Sequence, residues 1–528
     1  MVIFLISVVA HAVALVDLGG DVAQLIAGHL QHHETSFASL AQVSRYFREH
    51  LLAQNLEPQV HLMRRDINMY FDVPIAYSAF RSKEWRSRAS LIFFDQSEVV
   101  EFLNDPRSRY FYKLKIRFDG ALDVATWGLF SRLHSLRELD LSHNIVGDAG
   151  AEGVAALVDL RFLDLSDCGV SEHGMKHLER LQHVERLVVR NNDIQDEGAR
   201  SIASLKKLSH LSVEHCGIRS EGVRSLARLQ QLQFLNLNDN LIEDRGVVHL
   251  LAGGLKDLKF LMLRGCHVHE VGVVAVGKLL SLTQLDLSSN DIGNDGVDFL
   301  TELKSLTSLN VSDCGLTSAY FVAALPHLHN LNISGNAIGN DGIKNIAQHL
   351  VELAYLDVDS CDITSRGLRS LVRLHHLTSL SISENAIANA GARRIAQLGG
   401  LRSLIVDDCG IDHLGAKYIA RLTGLIELSM KENSIGDAGA NHIAKLTGLE
   451  RLTLEECGLG NDGAMHISRL SNLVSLDLSL NDIEDEGIAA IIDNYPVNLT
   501  DIVLRHCGIT YETIERIHRL PTALRVTI

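Results

Sequence analysis

Eight cysteines are the residues of this chain whose chemistry depends most directly on their spacing. An even number of cysteines permits a disulfide framework, and clustered thiolates can hold zinc. No two of them are close in sequence, as a usual pair of zinc ligands would be. Neighbouring cysteines are separated by two copies of one repeated sequence pattern. They are Cys168, Cys216, Cys266, Cys314, Cys361, Cys409, Cys457 and Cys507.

Asparagines alternate strictly with these cysteines. The asparagines are Asn144, Asn192, Asn240, Asn290, Asn336, Asn385, Asn433 and Asn481. Each Asn or Cys ends the pattern Leu-x-x-Leu-x-Leu-x-x-Asn/Cys, first at Leu136 to Asn144, and most steps are 24 residues. An Asn side chain can bond the backbone of a turn, and Cys is a small, readily buried, weak donor that fits the same position. The pattern therefore predicts a structural role for both residues.

This pattern resembles the leucine-rich repeat, in which short strands and helices alternate along a solenoid. Strands of neighbouring repeats would be about 4.8 Å apart, so cysteines two repeats apart would be separated by about 9.6 Å. A disulfide needs α-carbons within about 7 Å. We therefore expect free thiols, no metal and a reducing compartment.

The second half of each repeat reads as a short helix. Four residues after most Asn or Cys positions stands Asp, Asn or Ser, which we interpret as the helix N-cap. Glycine follows two positions later in 14 of 16 repeats, and we expect it to let the helix lie close to the strands. The fold class is therefore α/β: a right-handed leucine-rich-repeat solenoid, shaped as a horseshoe, with a parallel concave sheet and short convex helices.

The chain divides into four parts. Residues 1–16 are apolar and could be a secretory signal, because Ala10-His11-Ala12 suits cleavage, or an extra helix, because no Lys or Arg precedes Arg45. Residues 17–53 form a small helical domain, residues 54–113 a helical adaptor that caps the solenoid, and residues 114–528 the solenoid, with 16 repeats from Leu136 to Gly508 plus terminal strands.

Acidic residues dominate the outward positions of the later strands. These positions are Asp357, Asp359, Glu384, Asp407, Asp408, Glu432, Glu455, Glu456 and Asp477, with Lys431 as the one base among them. Such a concave face would steer a basic protein partner towards it. The alternative is an ordinary solvated face that keeps the sheet soluble.

Composition and motifs exclude several functions. The net charge of -16, from 65 acidic and 49 basic residues, argues against nucleic acid as the partner. No apolar run is long enough for a membrane span. There is no phosphate-binding loop, zinc-protease motif or nucleophile elbow, and the 26 histidines are scattered. We expect neither an enzyme nor a cofactor.

Residues 18–48 resemble an F-box, a short helical motif that docks on a Skp1-like adaptor. The matching residues are Leu18, Asp21, Val22, Ile26, Leu30, Leu40, Val43, Ser44, Arg45, Phe47 and Arg48. The resemblance implies adaptor contacts through Leu18, Val22, Ile26, Leu30, Leu40, Val43 and Phe47. The sequence departs from the motif at Gly19, where proline is usual, and at Ala27, where a larger apolar residue is usual.

The repeats add a second resemblance. Gly-Asp-Ala-Gly-Ala occurs at Gly147 and Gly436, and Asn-Ala-Gly-Ala at Asn389, which is similar to GALA-type bacterial effectors. That family implies a substrate receptor of an SCF-type ubiquitin ligase, monomeric apart from its partners and delivered by a bacterium into the host cytoplasm. Two alternatives are a stand-alone interaction or inhibitor scaffold, which would be cytoplasmic, and a secreted surface protein.

Overall fold

The computed structural model describes residues 88–93, 96–118, 120–494, 496, 498–518 and 524–528. They form two compact units, the first ending at Leu208 and the second beginning at Ser209. The apolar segment 1–16, the F-box-like segment 17–53 and most of the adaptor 54–113 lie outside the described residues.

Short parallel strands recur through both units, and each pairs with the strand of the next repeat within its unit. The first unit contains β1 (Arg88–Phe93), β2 (Lys113–Phe118), β3 (Glu138–Asp140), β4 (Phe162–Asp164) and β5 (Arg186–Val188). The second contains β6 (His210–Ser212), β7 (Phe234–Asn236), β8 (Phe260–Met262), β9 (Gln284–Asp286), β10 (Ser308–Asn310), β11 (Asn330–Asn332), β12 (Tyr355–Asp357), β13 (Ser379–Ser381), β14 (Ser403–Ile405), β15 (Glu427–Ser429), β16 (Arg451–Thr453), β17 (Ser475–Asp477), β18 (Asp501–Val503) and β19 (Arg525–Thr527).

Helices connect these strands. The α-helices of the first unit are α1 (Gln96–Asn104), α2 (Val124–Gly128), α3 (Gly147–Val154), α4 (Glu172–His177) and α5 (Gln195–Ile202). Those of the second are α6 (Ser220–Leu226), α7 (Glu243–Gly253), α8 (Glu270–Val276), α9 (Gly293–Asp298), α10 (Gly339–His349), α11 (Ala388–Ile395), α12 (His413–Ile419), α13 (Gly436–Ile443), α14 (Asn461–Ile467), α15 (Asp485–Asp493) and α16 (Tyr511–His518). Short 3-10 helices lie at Ser108–Tyr110, Leu129–Arg132, Leu178–Arg180, Phe299–Glu302, Tyr320–Ala324 and Gly367–Arg373.

The leucine pattern becomes a continuous core within each unit. The central residue of each short strand from β3 to β18 is buried, and like residues meet across the ladder, as Leu285, Leu309 and Leu331 do in β9 to β11. Parallel strands joined by helices confirm the predicted α/β repeat fold. Among the described helices, none has the length and apolar character to cross a membrane.

The predicted asparagine turns are bonded more extensively than expected. Asn290 is 3% exposed, and its side-chain oxygen accepts from the N–H groups of Cys266 at 3.1 Å and Val268 at 2.9 Å. Its amide nitrogen donates to the carbonyls of Leu263 at 2.7 Å and Leu287 at 2.8 Å. Three of these four partners belong to the preceding repeat. Each such asparagine therefore ties two repeats together as well as closing its own turn.

The cysteines make a weaker version of the same link. Cys314 is fully buried, and its thiol donates to the carbonyl of Leu287 in the preceding repeat at 3.2 Å. All eight cysteines are free thiols, and only Cys507 is partly accessible. Burial raises the pKa to about 12 for Cys168, Cys266, Cys314, Cys361, Cys409 and Cys457. These buried thiols stay protonated at neutral pH and are poor nucleophiles.

The residue before every Asn or Cys of the repeats lies in the left-handed region, which the sequence did not reveal. Their φ angles run from 45° at Asp408 to 67° at Gly335. This conformation lets the N–H of that residue bond the next repeat, as Glu384 does to the carbonyl of Asp407 at 2.8 Å. The parallel ladder thus extends three residues past each short strand.

The predicted helix caps act on a different helix from the one expected. Asp437 lies in the first turn of α13, but its carboxylate accepts from the N–H groups of Gly460 at 2.8 Å and Gly463 at 2.9 Å in the next repeat. The N-termini of these short helices lie side by side, so a first-turn side chain reaches its neighbour. A true local cap lies one residue earlier in some cysteine repeats, as at Ser171.

In most Asn repeats the glycine leaves room for the Ile or Val four residues earlier, as a β-carbon on Gly439 would lie 2.6 Å from Ile435. In the cysteine repeats it is needed because of this cap. A β-carbon on Gly463 would lie 2.4 Å from the Asp437 carboxylate, and one on Gly415 would lie 2.5 Å from the Asn389 side-chain oxygen. The helix expected in every repeat is replaced by a 3-10 turn at Tyr320–Ala324, where the glycine is missing, and at Gly367–Arg373.

The adaptor predicted as helical at 54–113 contains a strand where it is described. β1 pairs in parallel with β2, and Leu91 and Phe93, two residues apart, are buried. Phe102 on α1 packs against Phe93 with ring centroids 5.5 Å apart. A strand here satisfies the free backbone edge of β2, which a helix could not do.

We expect Asn290→Ala to destabilise the protein by about 3 kcal/mol, because it leaves several buried backbone groups of two repeats without partners. Urea unfolding of the full chain measures this loss. Asn441 is exposed on α13. Asn441→Ala is therefore the matched control and should change stability by less than about 0.5 kcal/mol. Equal losses of stability in the two variants would contradict a structural role for the buried asparagines.

Candidate functional site

The nine predicted acids lie past or at the ends of strands β12 to β17, on the strand face of the second unit. The strands align so that Asp357 stands opposite Ser381, and Thr453 opposite Asp477. Equivalent positions of successive repeats therefore form rows across the sheet. We call the set of Asp357, Asp359, Glu384, Asp407, Asp408, Glu432, Glu455, Glu456 and Asp477 the acidic face.

Four members of the acidic face form one exposed row. Glu384, Asp408, Glu432 and Glu456 are exposed and occupy the left-handed position in four consecutive repeats. The ladder fixes their spacing, since each N–H bonds the next repeat, as Glu432 does to the carbonyl of Glu455 at 2.9 Å. Neighbouring members are about 4.8 Å apart along the backbone. We call these four residues the exposed acidic row.

Two members act inside the fold. Asp359 accepts from the Ser381 hydroxyl at 2.7 Å and the Ser383 N–H at 2.6 Å in the next repeat. Asp407 accepts from the Ser429 hydroxyl at 2.6 Å and the Lys431 N–H at 2.8 Å. Burial raises the pKa of both carboxyl groups. Their side chains are therefore committed to holding repeats together.

Asp357 is the most perturbed acid of the acidic face. Burial, then the nearby charge of Asp359, raises its pKa to about 6. Its carboxylate accepts from the Asp359 N–H at 3.2 Å, and the Tyr355 hydroxyl lies 3.5 Å away. This carboxyl group therefore gains a proton at a higher pH than an ordinary aspartate would.

Lys431 offsets part of the charge. Its ammonium group lies 3.2 Å from the Glu455 carboxylate and 3.3 Å from Glu432. The hydrogen bond to Glu455 is the main cause of its raised pKa. Glu455 and Glu432 are therefore already paired with Lys431. Asp408 and Glu456 are exposed and have no ion pair among the described residues.

The acidic face presents exposed carboxylates at Glu384, Asp408, Glu432 and Glu456. Within the described residues, no group of three His, Cys, Asp or Glu side chains could hold a metal ion. The structure brings the predicted acids onto one face, and it divides them into an exposed row and half-buried structural members. That the face binds a basic partner stays a prediction.

The predicted adaptor-binding residues lie outside the described residues. They are Leu18, Val22, Ile26, Leu30, Leu40, Val43 and Phe47.

The structure contains a second charged surface that the sequence did not predict. Six basic side chains of three consecutive repeats surround one cavity on the helix side of the second unit. We call them the basic cluster: Arg366, Arg369, Arg393, Arg394, Lys417 and Arg421. The available signal was the loss of acids from the first helical turn of these repeats, which is visible only when the helices are aligned with one another.

Comparison with known proteins assigns the repeats. A family model described as a leucine-rich repeat region matches residues 122–364, and a second leucine-rich repeat model matches residues 373–396 and 469–491. Neither describes a catalytic family. No curated protein was found to match the chain.

Solved structures with similar architecture include two bacterial proteins. An internalin from Listeria monocytogenes is 23% identical, with a TM-score of 0.49, covering 63% of this chain and 93% of the internalin. A leucine-rich repeat protein from Leptospira interrogans is 19% identical, with a TM-score of 0.42, covering 83% of this chain and 99% of that protein.

We expect Asp357→Asn to stabilise the protein at pH 7 by about 1 kcal/mol, after allowance for solvent screening. Because the folded pKa of about 6 exceeds the unfolded value, ionisation opposes folding as pH rises from about 4 to about 6. The variant should equal the wild type near pH 4 and exceed it at pH 7 in urea unfolding. Asp477→Asn is the control, since its neighbour two residues on is Ser479 instead of a second acid. A constant difference across this pH range would contradict the assignment.

Proposed function

Because this chain is a leucine-rich-repeat protein, we propose that it is a binding scaffold whose acidic face holds a basic region of a partner protein. The observation that carries this is the exposed acidic row. Four acidic residues in consecutive repeats have their backbone held at regular spacing by hydrogen bonds to the next repeat, and their side chains are exposed. A backbone that is already rigid loses little conformational entropy on binding.

We further propose that the scaffold is the substrate receptor of an SCF-type ubiquitin ligase. In this proposal the F-box-like segment docks on a Skp1-like adaptor, with Val22 and Ile26 among its apolar contacts, and the acidic face presents the bound protein for ubiquitination. The order of an F-box-like segment before a solenoid supports this arrangement. The Gly-Asp-Ala-Gly-Ala sequences support the narrower proposal of a bacterial effector acting in host cytoplasm.

The strand face is tested with a fluorescein-labelled peptide of alternating Lys and Ser. We expect the full chain to bind it with an affinity that falls steeply with salt, because the contacts are between exposed charges. Glu432→Lys with Glu456→Lys should weaken binding at least tenfold in fluorescence anisotropy. Asp462→Lys with Glu486→Lys makes the same charge change on the helix side, at exposed residues, and should have little effect. Equal losses would mean that net charge alone attracts the peptide.

The receptor role is tested separately by pulldown of a purified Skp1-like adaptor with the full chain. We expect capture by the wild type and loss with Val22→Asp plus Ile26→Asp, because a buried apolar contact cannot accept two carboxylates. The strand-face variant is the control and should still capture the adaptor. If the wild type captures none while it binds the basic peptide, the chain is a stand-alone scaffold, and the ubiquitin-ligase proposal is wrong.

A further inference from the structure

The helix side of the second unit carries a concentrated positive charge in an otherwise acidic protein. A cavity of about 410 Å³ is lined by the basic cluster together with Ser365, Asn389, Ala390, Leu414 and Tyr418. The whole chain has a formal net charge of -16. Three consecutive repeats, those of Cys361, Asn385 and Cys409, supply all six cations.

Equivalent basic residues in earlier repeats are paired with acids. Arg200 forms an ion pair with Glu197 within its own helix. Arg224 lies 3.5 Å from Glu221, which also receives Arg245 of the next repeat at 2.6 Å. In both repeats the acid stands just before the repeated glycine and the base two residues after it. This pairing neutralises the helix side of these repeats.

The basic cluster keeps the bases and lacks these acids. Arg369, Arg393 and Lys417 occupy the same position as Arg200 and Arg224. The position of the acid is taken by Arg366, Ala390 and Leu414 in the three repeats. None of the three helices has an acidic residue in its first turn. Among the described residues, no carboxylate forms an ion pair with any member of the basic cluster.

Two carboxylates beside these helices, one just before α12 and one in the first turn of the following helix α13, accept backbone hydrogen bonds. Asp412 accepts from the Leu414 N–H at 2.7 Å, and Asp437 accepts from two backbone N–H groups of the following repeat. The cations themselves are available, since all of them are exposed except Arg394, which is half-buried. Like charges held together without counter-charges repel one another, and an anionic ligand relieves that repulsion.

The cavity also offers apolar contact. The Leu414 side chain is 50% exposed. The guanidinium of Arg421 lies over the Tyr418 ring, 5.1 Å from its centroid. A ligand that combines carboxylates with an apolar side chain would match this surface better than a bare phosphate backbone, and the net charge of the chain opposes nucleic acid.

We propose that the basic cluster binds an extended acidic segment of a partner protein, at a surface separate from the acidic face. Acidic side chains of the segment pair with Arg366, Arg369, Arg393 and Lys417 across successive repeats, and an apolar side chain contacts Leu414 and Tyr418. The chain would then have two binding surfaces of opposite charge in the same repeats.

The proposal is tested with a fluorescein-labelled nonapeptide of Asp and Glu around a central Leu. We expect the full chain to bind it in fluorescence anisotropy at low salt, and Arg369→Gln with Arg393→Gln to weaken binding at least tenfold. Arg200→Gln with Arg224→Gln removes the same charge from the paired positions and should leave the affinity within twofold. Leu414→Ser should also weaken binding, which would separate the apolar contact from charge alone.

Three results would overturn the proposal. The wild type could fail to bind the acidic peptide at low salt, or the two Arg pairs could have equal effects. A thymidine oligonucleotide, tripolyphosphate or vesicles rich in anionic lipid could also bind the basic cluster more tightly than the peptide does. Binding of the Lys-Ser peptide should be unchanged in the Arg369→Gln, Arg393→Gln variant, and unaltered thermal unfolding of that variant shows that it is folded.

Discussion

The hydrogen bonds of the buried asparagines are the interaction on which the rest of this structure depends. The turn after each strand exposes backbone N–H and C=O groups inside the protein, and each unpaired group would cost about 1 to 3 kcal/mol. One Asn side chain satisfies several of these groups and most of its partners belong to the preceding repeat, as at Asn290. The same hydrogen bonds therefore close a turn and hold the neighbouring repeat against it. This is why the repeats follow one another without interruption in each unit.

The alternation of Asn with Cys follows from the same need to pair the backbone groups of each turn. An Asn in one repeat bonds the turn of the preceding cysteine repeat, and the cysteine thiol donates one weaker bond further back, as Cys314 does to Leu287. The backbone N–H groups of the cysteine turn thus donate to the Asn side chain of the next repeat, because the cysteine thiol is only a weak acceptor. On the helix side, an Asp or Asn in the first turn of one helix likewise accepts from backbone N–H groups of the next repeat. Local structure in each repeat is completed by the repeat beside it.

This rigid lattice leaves the two surfaces free to carry charge. On the strand side, the acids of the exposed acidic row are exposed to solvent, whereas the half-buried Asp359 and Asp407 bond the next repeat. The nine predicted acids therefore differ in how available they are to a partner. On the helix side, paired charges in the repeats of Asn192 and Cys216 give way to unpaired cations at Arg369, Arg393 and Lys417. The scaffold is constant while the charge of each face changes along it, and this separation suits a protein that binds other proteins.

The sequence by itself determined the α/β repeat fold, the strands from β2 onward, the Asn and Cys turn positions and the face that carries the acids. Periodicity is sufficient for these features, because a side chain that recurs at a fixed position in each repeat recurs at a fixed position in the stack. Tertiary structure decided which helix Asp437 caps, that Asp359 and Asp407 bond the next repeat, and that β1 extends the sheet in a segment read as helical. It also brought the basic cluster together around one cavity. These features depend on distances between repeats, and a pattern read within one repeat does not contain those distances.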